Sequence, residues 1–162
     1  MDKISFSFRI AEKKDCALIL KFIRELAKYE KMEDAVVATE EILEEWLFNT
    51  PSAEVIFAVV DGKEVGFAIY FTNYSTFLGR AGLYLEDLYV QPEYRRHGIG
   101  KALLQYLAKM AVSCEFGRLD WACLNWNVDS IEFYESLGAE GLSEWTTFRL
   151  SGKALEDLAK EP

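Results

Sequence analysis

Two neighbouring carboxylates interrupt an otherwise mostly apolar segment. Glu86 and Asp87 lie within residues 82–90, whose composition predicts a β-strand. A carboxylate that is partly removed from water gains proton affinity and can act as a general base, directly or through an ordered water. Glu86, in the middle of the segment, is the better candidate, although a solvated strand face would also suit it. Regular alternation points the two side chains to opposite faces, so one pocket holds both only where a bulge intervenes.

A basic turn with two glycines follows this strand and precedes an amphipathic pattern. The turn consists of Arg95, Arg96, His97, Gly98, Ile99, Gly100 and Lys101. The glycines allow consecutive backbone N–H groups to converge, and a helix N-terminus adds its positive end, which together suit a pyrophosphate. The three cationic side chains would add charge, although a solvated basic turn has the same composition. The spacing fits Arg-x-x-Gly-x-Gly and neither the Walker nor the Rossmann pattern.

Length and composition predict one domain over residues 1–162. No apolar run reaches the roughly 20 residues of a bilayer span, and the start resembles no secretory signal, so we expect a soluble cytoplasmic protein.

The net charge of −9 argues against nucleic acid or an anionic membrane as partner and favours cations. Cys16, Cys114 and Cys123 have neither zinc nor disulfide spacing; we expect reduced thiols, mostly in the core, and no metal.

Hydrophobic periodicity predicts a mixture of strands and helices. Strands are expected at residues 3–10, 55–60, 65–71, 82–90, 119–124 and 146–150, and helices from Asp15 to Tyr29, from Thr39 to Pro51, from Gly98 onward, from Asp129 or Ser130 to Leu137, and weakly over 153–160. Asp61-Gly62 suits a hairpin turn, and residues 73–80 are expected to form a loop. Hairpins combined with strand-helix-strand units indicate a single sheet in an α/β or α+β fold.

The apolar positions also predict which helix faces are buried. The expected buried residues are Ile19, Phe22, Ile23 and Leu26 in the first helix, Ile42, Leu43, Trp46 and Leu47 in the second, and Ile99, Leu103, Leu107 and Val112 in the third. Gly138 is the expected C-terminal cap of the fourth helix.

The segment 84–90, YLEDLYV, followed by residues 95–100, resembles the acetyl-CoA motif of the GNAT superfamily. Residues 25–30, the Trp126-Asn127 pair and residues 130–134 are similar to the spermidine/spermine N-acetyltransferase branch, which also contains thialysine acetyltransferases. The likeness extends from the first strand to Arg149. It implies the GNAT fold, a mixed and mostly antiparallel sheet flanked by helices, and acetyl transfer from acetyl-CoA to a primary amine of a small cationic molecule without a metal.

The resemblance also implies roles for individual residues. Leu88, Tyr89 and Val90 would present backbone groups to the pantetheine, the turn from Arg95 to Lys101 would hold the pyrophosphate, and Asn127, Ser130 and Tyr134 would complete the cofactor cleft. Tyr134 would donate a proton to the departing CoA thiolate, whereas periodicity alone favours a core tyrosine.

The substrate amine has its own expected contacts. Tyr29 and Glu30 match the pair that contacts polyamines in this branch, and together with Glu86 and Asp87 they would surround a cation. Where the polyamine enzymes tend to be acidic, this chain has Thr146. Short diamines, thialysine or another lysine-like amine are therefore at least as well suited as spermidine.

Other functions remain open on sequence grounds. Acetylation of a protein N-terminus, a lysine side chain or an aminoglycoside is the rival activity, and a non-catalytic acyl-CoA-binding module is the rival class. The resemblance also implies a homodimer. His97 is the only histidine, and its place inside the turn argues against a Ser-His or Cys-His nucleophile.

Overall fold

A five-stranded sheet forms the centre of the first of two units in the computed structural model, which describes residues 4–160. The units are Met1–Ala122 and Cys123–Pro162. The strands are β1 (Ser7–Ile10), β2 (Glu54–Val60), β3 (Lys63–Ser75), β4 (Arg80–Val90) and β5 (Leu119–Trp121). The helices of the first unit are α1 (Cys16–Tyr29), α2 (Glu40–Glu44) and α3 (Ile99–Ser113), and those of the second are α4 (Val128–Ser136) and α5 (Gly152–Leu158).

The strands follow the order β1-β2-β3-β4-β5. The first four pair antiparallel, whereas β5 runs parallel to β4 and pairs with Leu83–Leu85 alone. This arrangement confirms the expected mixed, mostly antiparallel sheet. The expected loop over residues 73–80 is wrong at both ends, because β3 continues to Ser75 and β4 begins at Arg80. Lys3, placed in the first strand by its pattern, lies outside the described residues.

Helix α1 packs its apolar stripe on one face of the sheet, here called the α1 face. Phe22 is fully buried and its ring stacks on Phe67 with 5.4 Å between centroids. Burial of one such side chain contributes about 1.5–3 kcal/mol. Gly66 allows β3 and β4 to approach closely, because a Cβ there would lie 2.6 Å from the Tyr89 carbonyl oxygen.

Helix α3 packs on the opposite face, here called the α3 face. Tyr106 contacts Phe8 edge-on with 5.6 Å between ring centroids, and Leu107 is fully buried. Val112 was expected on this buried stripe, but 78% of it is exposed. The stripe continues four residues after Leu107, at the buried Ala111, and the next residue is rotated by about 100° away from it.

Helix α2 begins where its cap predicts, since the Thr39 hydroxyl accepts a hydrogen bond from the Ile42 N–H at 3.3 Å. It continues as a π-helical turn over Glu45–Asn49. Leu43 and Leu47 pack against the core cluster on the α1 face. Ile42 and Trp46, also expected inside, are 48% and 55% exposed. Each lies one position before a packed leucine, on a neighbouring face that stays about half exposed.

The second unit is built around α4, which starts at Val128, one residue before the earliest predicted start. Gly138 follows its end with a φ of 89°, as expected for a glycine cap. The strand predicted over residues 119–124 ends at Trp121, and the one predicted over 146–150 does not form. Trp145 and Phe148 are instead 71% and 89% exposed. The pattern of residues 146–150 predicted a strand, but the described chain supplies no partner strand for this segment. The predicted tail helix is confirmed as α5.

Three further expectations concern the whole described chain. All three cysteines are free thiols, but only Cys16 is buried, whereas Cys123 is half-buried and Cys114 is exposed. The expectation of mostly core thiols is therefore wrong. Between residues 4 and 160, no helix is long and apolar enough to cross a membrane. Within the same range, no three His, Cys, Asp or Glu side chains meet as a metal site would require.

Candidate active site

A β-bulge in β4 places the two neighbouring carboxylates. Ile69 of β3 pairs with Asp87 and the next residue, Tyr70, pairs with Leu85, which leaves Glu86 as an extra residue. Directly opposed residues of an antiparallel pair share a face. Asp87 therefore lies on the α1 face with Ile69. Without the bulge, alternation from Leu85 would turn Asp87 to the α3 face.

Asp87 is a half-buried carboxylate whose pKa is raised to about 7. Burial is the main cause, because it penalises the charged form, and the negative charges of Glu86 and Glu30 add to it. The carboxyl therefore exchanges its proton much closer to neutral pH than an ordinary aspartate does. A cation bound beside the three carboxylates would be attracted to them and would favour the ionised form of Asp87.

Glu86 itself is exposed to solvent. Its negative charge contributes to raising the pKa of both Tyr84 and Asp87, so it lies near both of them. The partial desolvation expected at Glu86 occurs at Asp87 instead. The physical reason is the bulge, which leaves the extra residue unpaired and turns the following one toward α1.

The C-terminal end of α1 contributes Tyr29 and Glu30. Glu30 is half-buried, and burial raises the pKa of its carboxyl. It is close enough to influence the ionisation of Asp87. The ring of Tyr29, 38% exposed, lies under the guanidinium of Arg95, with 4.9 Å from Cζ to the ring centroid. Within the first unit, the structure thus brings together Tyr29, Glu30, Glu86 and Asp87, the four predicted substrate residues.

Beyond the bulge, the outer edge of β4 has no strand partner in the described chain, because pairing with β5 stops at Leu85. The Gln91 N–H donates to the Val65 carbonyl at 2.9 Å. Alternation therefore directs the backbone groups of Tyr89 toward β3 and those of Leu88 and Val90 toward this open edge. Two of the three predicted pantetheine residues have suitably directed backbone groups. The side chain of Tyr89 belongs to the core cluster.

The basic turn leads from the open edge into α3. Gly98, the N-cap residue of α3, has a φ of 83°, and Arg96 before it has a φ of 63°. A Cβ built on Gly98 or Gly100 would meet no atom within 4 Å, so the space in front of the turn is open. An open strand edge leading to an open, N–H-rich helix start fits an extended acyl-CoA, whose pyrophosphate prefers such a turn.

Side chains of the turn differ in what they can offer to a ligand. Arg96 and Lys101 are exposed, and His97 is half-buried. Ile99 is 1% exposed, so only its backbone N–H can face a ligand. Arg95, expected to add charge to the phosphate site, donates from Nε to the Val90 carbonyl at 2.7 Å. Its guanidinium is directed at tyrosine rings.

The remaining predicted residues belong to the second unit, described by itself. The Asn127 side chain caps α4 by accepting from the Ser130 N–H at 3.4 Å. Tyr134 is half-buried in α4, with its ring centroid 5.4 Å from that of Phe133. Periodicity alone indicated a packed tyrosine at this position. The acid role of Tyr134 stays a prediction.

Sequence reasoning missed a polar group beneath the end of α1. The buried Gln91 donates from Nε2 to the Glu25 carboxylate at 3.2 Å, and the Tyr89 hydroxyl is in hydrogen-bonding reach of Glu25 and Arg95. A glutamine at the end of a strand, before a proline, is the only local signal. The glutamate that it meets lies 66 residues earlier in the chain.

Comparisons with known proteins agree with this geometry. The model of the Acetyltransferase (GNAT) family matches residues 20–139. The chain is 39% identical over 163 residues to the thialysine N-epsilon-acetyltransferase of Bos taurus, covering 93% of this chain and 95% of that protein. It is 30% identical over 198 residues to the L-ornithine N5-acetyltransferase of Arabidopsis thaliana, covering 94% and 87%.

A solved structure agrees over almost the full length. An integron cassette protein from V. cholerae is 30% identical to this chain, with a TM-score of 0.82 and coverage of 98% of this chain and 99% of that one. The sheet, the motif and these similarities have one explanation: the chain belongs to the Acetyltransferase (GNAT) family and is an acetyl-CoA-dependent N-acetyltransferase.

Proposed function

We propose that this enzyme acetylates a primary amine of a small cationic molecule, with Asp87 at the centre of the amine site. The observation that carries the proposal is the half-buried Asp87 on the α1 face, beside the open edge of β4, with Glu86 and Glu30 near enough to influence its ionisation. Three carboxylates attract an ammonium group, and the half-buried one is poised to exchange a proton near neutral pH. Two of the similar proteins are named for acetylating thialysine at N-epsilon and L-ornithine at N5, and both of these molecules have a side-chain amine.

Asp87 is the proposed general base. A lysine-like amine, with a pKa near 10.4, is protonated at neutral pH and cannot attack a thioester until it loses a proton. The sequence pattern favoured Glu86 for this task. The pKa of Asp87, raised to about 7, matches the operating pH better. Glu86 and Glu30 are proposed to attract the ammonium and to keep the proton affinity of Asp87 high, with Tyr29 contacting the substrate beside them.

Acetyl-CoA is proposed to lie along the open edge and the basic turn. It supplies the acetyl group as a thioester. Leu88 and Val90 would bond the pantetheine, and the N–H groups from Arg96 to Lys101 would hold the pyrophosphate, with charge from Arg96 and Lys101. His97 and Gly98 contribute backbone groups. Asn127 and Ser130 are proposed to complete the cleft.

Tyr134 is the proposed acid that protonates the departing thiolate. The support is the family resemblance of residues 130–134 together with the half-buried position of this tyrosine in α4. The N-cap by Asn127 stabilises the start of the helix that carries it.

We further propose a homodimer, a cytoplasmic location and one functional acetyltransferase domain built from both units. The family match over residues 20–139 crosses the boundary between the units, which supports a common domain. The exposed Trp145 and Phe148 of the second unit support an interface with another copy.

The first prediction concerns the cofactor. Saturating acetyl-CoA is expected to raise the melting temperature by mass action, and Gly98→Val should abolish this increase by straining the turn and filling the space in front of it. Gly79→Val is the matched control, since Gly79 also has a positive φ, 63°, and open space around its Cβ position, but lies in the β3–β4 turn at the opposite end of β4. Thermal unfolding of the three proteins measures the effect. No increase in the unchanged protein would refute the cofactor site.

The second prediction tests the substrate class. In a thiol-release assay with acetyl-CoA, thialysine, ornithine and putrescine should be acetylated, and spermine should have no advantage over them in kcat/KM. The reason is that Thr146, where polyamine enzymes tend to be acidic, is neutral. If spermine is strongly preferred, the argument from Thr146 is wrong. If only a protein or an aminoglycoside is acetylated, the small-amine proposal is wrong.

The third prediction distinguishes the two neighbouring carboxylates. For the free enzyme, kcat/KM should rise with pH through about 7 as Asp87 loses its proton, and Asp87→Asn should remove this limb and lower kcat/KM by at least about 100-fold. Glu86→Gln is the matched carboxylate-to-amide change. It should keep the limb but move it to lower pH, because a charge that raises the pKa of Asp87 is lost.

The opposite pattern contradicts this assignment. A limb near pH 7 that persists in Asp87→Asn and disappears in Glu86→Gln would return the role of base to Glu86.

The fourth prediction concerns the acid. Tyr134→Phe removes one hydroxyl and keeps the ring, so kcat should fall by about 10²–10⁴-fold while the dissociation constant of acetyl-CoA stays nearly constant. Phe133→Tyr, the reverse change at the neighbouring position, should leave kcat unchanged. A fall of less than about tenfold in Tyr134→Phe would mean that this tyrosine only packs α4.

A further inference from the structure

The side chain of Arg95 is held by three contacts inside the first unit. Its Nε donates to the Val90 carbonyl at 2.7 Å. Its Cζ lies 4.9 Å from the ring centroid of Tyr29 and 5.4 Å from that of Tyr89. Guanidinium groups favour such aromatic faces through cation–π attraction. The guanidinium of Arg95 therefore already contacts protein groups before any ligand binds.

These contacts join three parts of the chain. Tyr29 ends α1, Tyr89 and Val90 end β4, and Arg95 belongs to the turn proposed to bind phosphate. The buried Gln91, bonded to Glu25 at 3.2 Å, forms a second link between α1 and the end of β4. The C-terminal half of α1 is thus attached to the strand end at two places.

The neighbouring arginine has a different environment. Arg96 is exposed, and the described structure gives its side chain no hydrogen bond or ion pair. Its charge is free for an anionic ligand, whereas that of Arg95 is not. The two adjacent arginines, which the sequence pattern treats alike, therefore have separate tasks.

The position of α1 determines the amine site. Glu30 directly follows Tyr29 and acts electrostatically on Asp87. A displacement of the end of α1 would change the separation of these carboxylates and hence the affinity for an ammonium group.

We propose that Arg95 is a positioning residue for the amine site, fixing Tyr29 and Glu30 relative to β4, and that it is not a ligand of the cofactor phosphates. This inference rests on the proposed function for the identity of the amine site. The contact with Tyr29 also means that the turn proposed to bind acetyl-CoA supports the residues proposed to bind the amine.

Steady-state kinetics of Arg95→Met and Arg96→Met test the assignment. Arg95→Met should raise KM for the amine by about three- to tenfold, the scale of losing the cation–π contact that holds Tyr29, with KM for acetyl-CoA within about twofold of the original. Arg96→Met should raise KM for acetyl-CoA and leave KM for the amine within about twofold of the original. The effect of Arg96→Met should diminish at high salt. Arg95→Lys, which keeps a cation over the rings, should restore most of the amine KM and serves where Arg95→Met does not fold.

A measurement without substrates separates failure of this inference from failure of the proposed function. The N–H groups of Glu30 and Met32 bond the carbonyls of Leu26 and Ala27 at 2.9 and 2.8 Å. Their hydrogen exchange should accelerate in Arg95→Met and remain unchanged in Arg96→Met. Unchanged exchange in Arg95→Met overturns the positioning role, whatever the enzyme acetylates. A KM for acetyl-CoA that rises as much as the amine KM overturns it as well.

Discussion

The β-bulge at Glu86 is the constraint on which the site depends. One extra residue in β4 changes the side-chain alternation, so that Asp87 and Tyr89 lie on the α1 face and Leu88 and Val90 on the other. It also separates the part of β4 that pairs with β5 from the part whose outer edge is open. A single local irregularity thus places the proposed amine site beside a backbone edge suited to the acyl-CoA arm.

The surrounding elements hold this irregularity in place. Gly66 permits the close approach of β3 to the end of β4, and Phe22 and Phe67 pack α1 over the same strands. Because interiors are densely packed, a shift of α1 would disturb both the core and the carboxylates at its end. The core and the site are consequently parts of one packing arrangement, linked at the end of α1 by Arg95 and Gln91.

The sequence predicted those features that depend on local chemistry. Thr39 caps α2, Asp61-Gly62 turns the hairpin, and Gly98 adopts the positive φ that the turn needs, since each acts through neighbouring residues. The resemblance predicted the mixed sheet and pointed to Tyr29 and Glu30, and the structure places Glu30 near enough to Asp87 to influence its ionisation. Features that depend on distant partners were not predictable. The bulge arises from pairing with β3, and the tyrosine under Arg95 lies 66 residues earlier in the chain.

The acidic surroundings of Asp87 have opposing effects on catalysis. Carboxylates near an ammonium group stabilise its charge, which favours binding and disfavours deprotonation. The same carboxylates raise the proton affinity of the base. Between ordinary pKa values of about 10.4 for the amine and 3.9 for aspartate, proton transfer costs about 9 kcal/mol, whereas with Asp87 near 7 it costs about 5 kcal/mol. Burial, the main cause of the raised pKa of Asp87, and the smaller contribution of the neighbouring charges therefore both lower the cost of proton transfer to this proposed base.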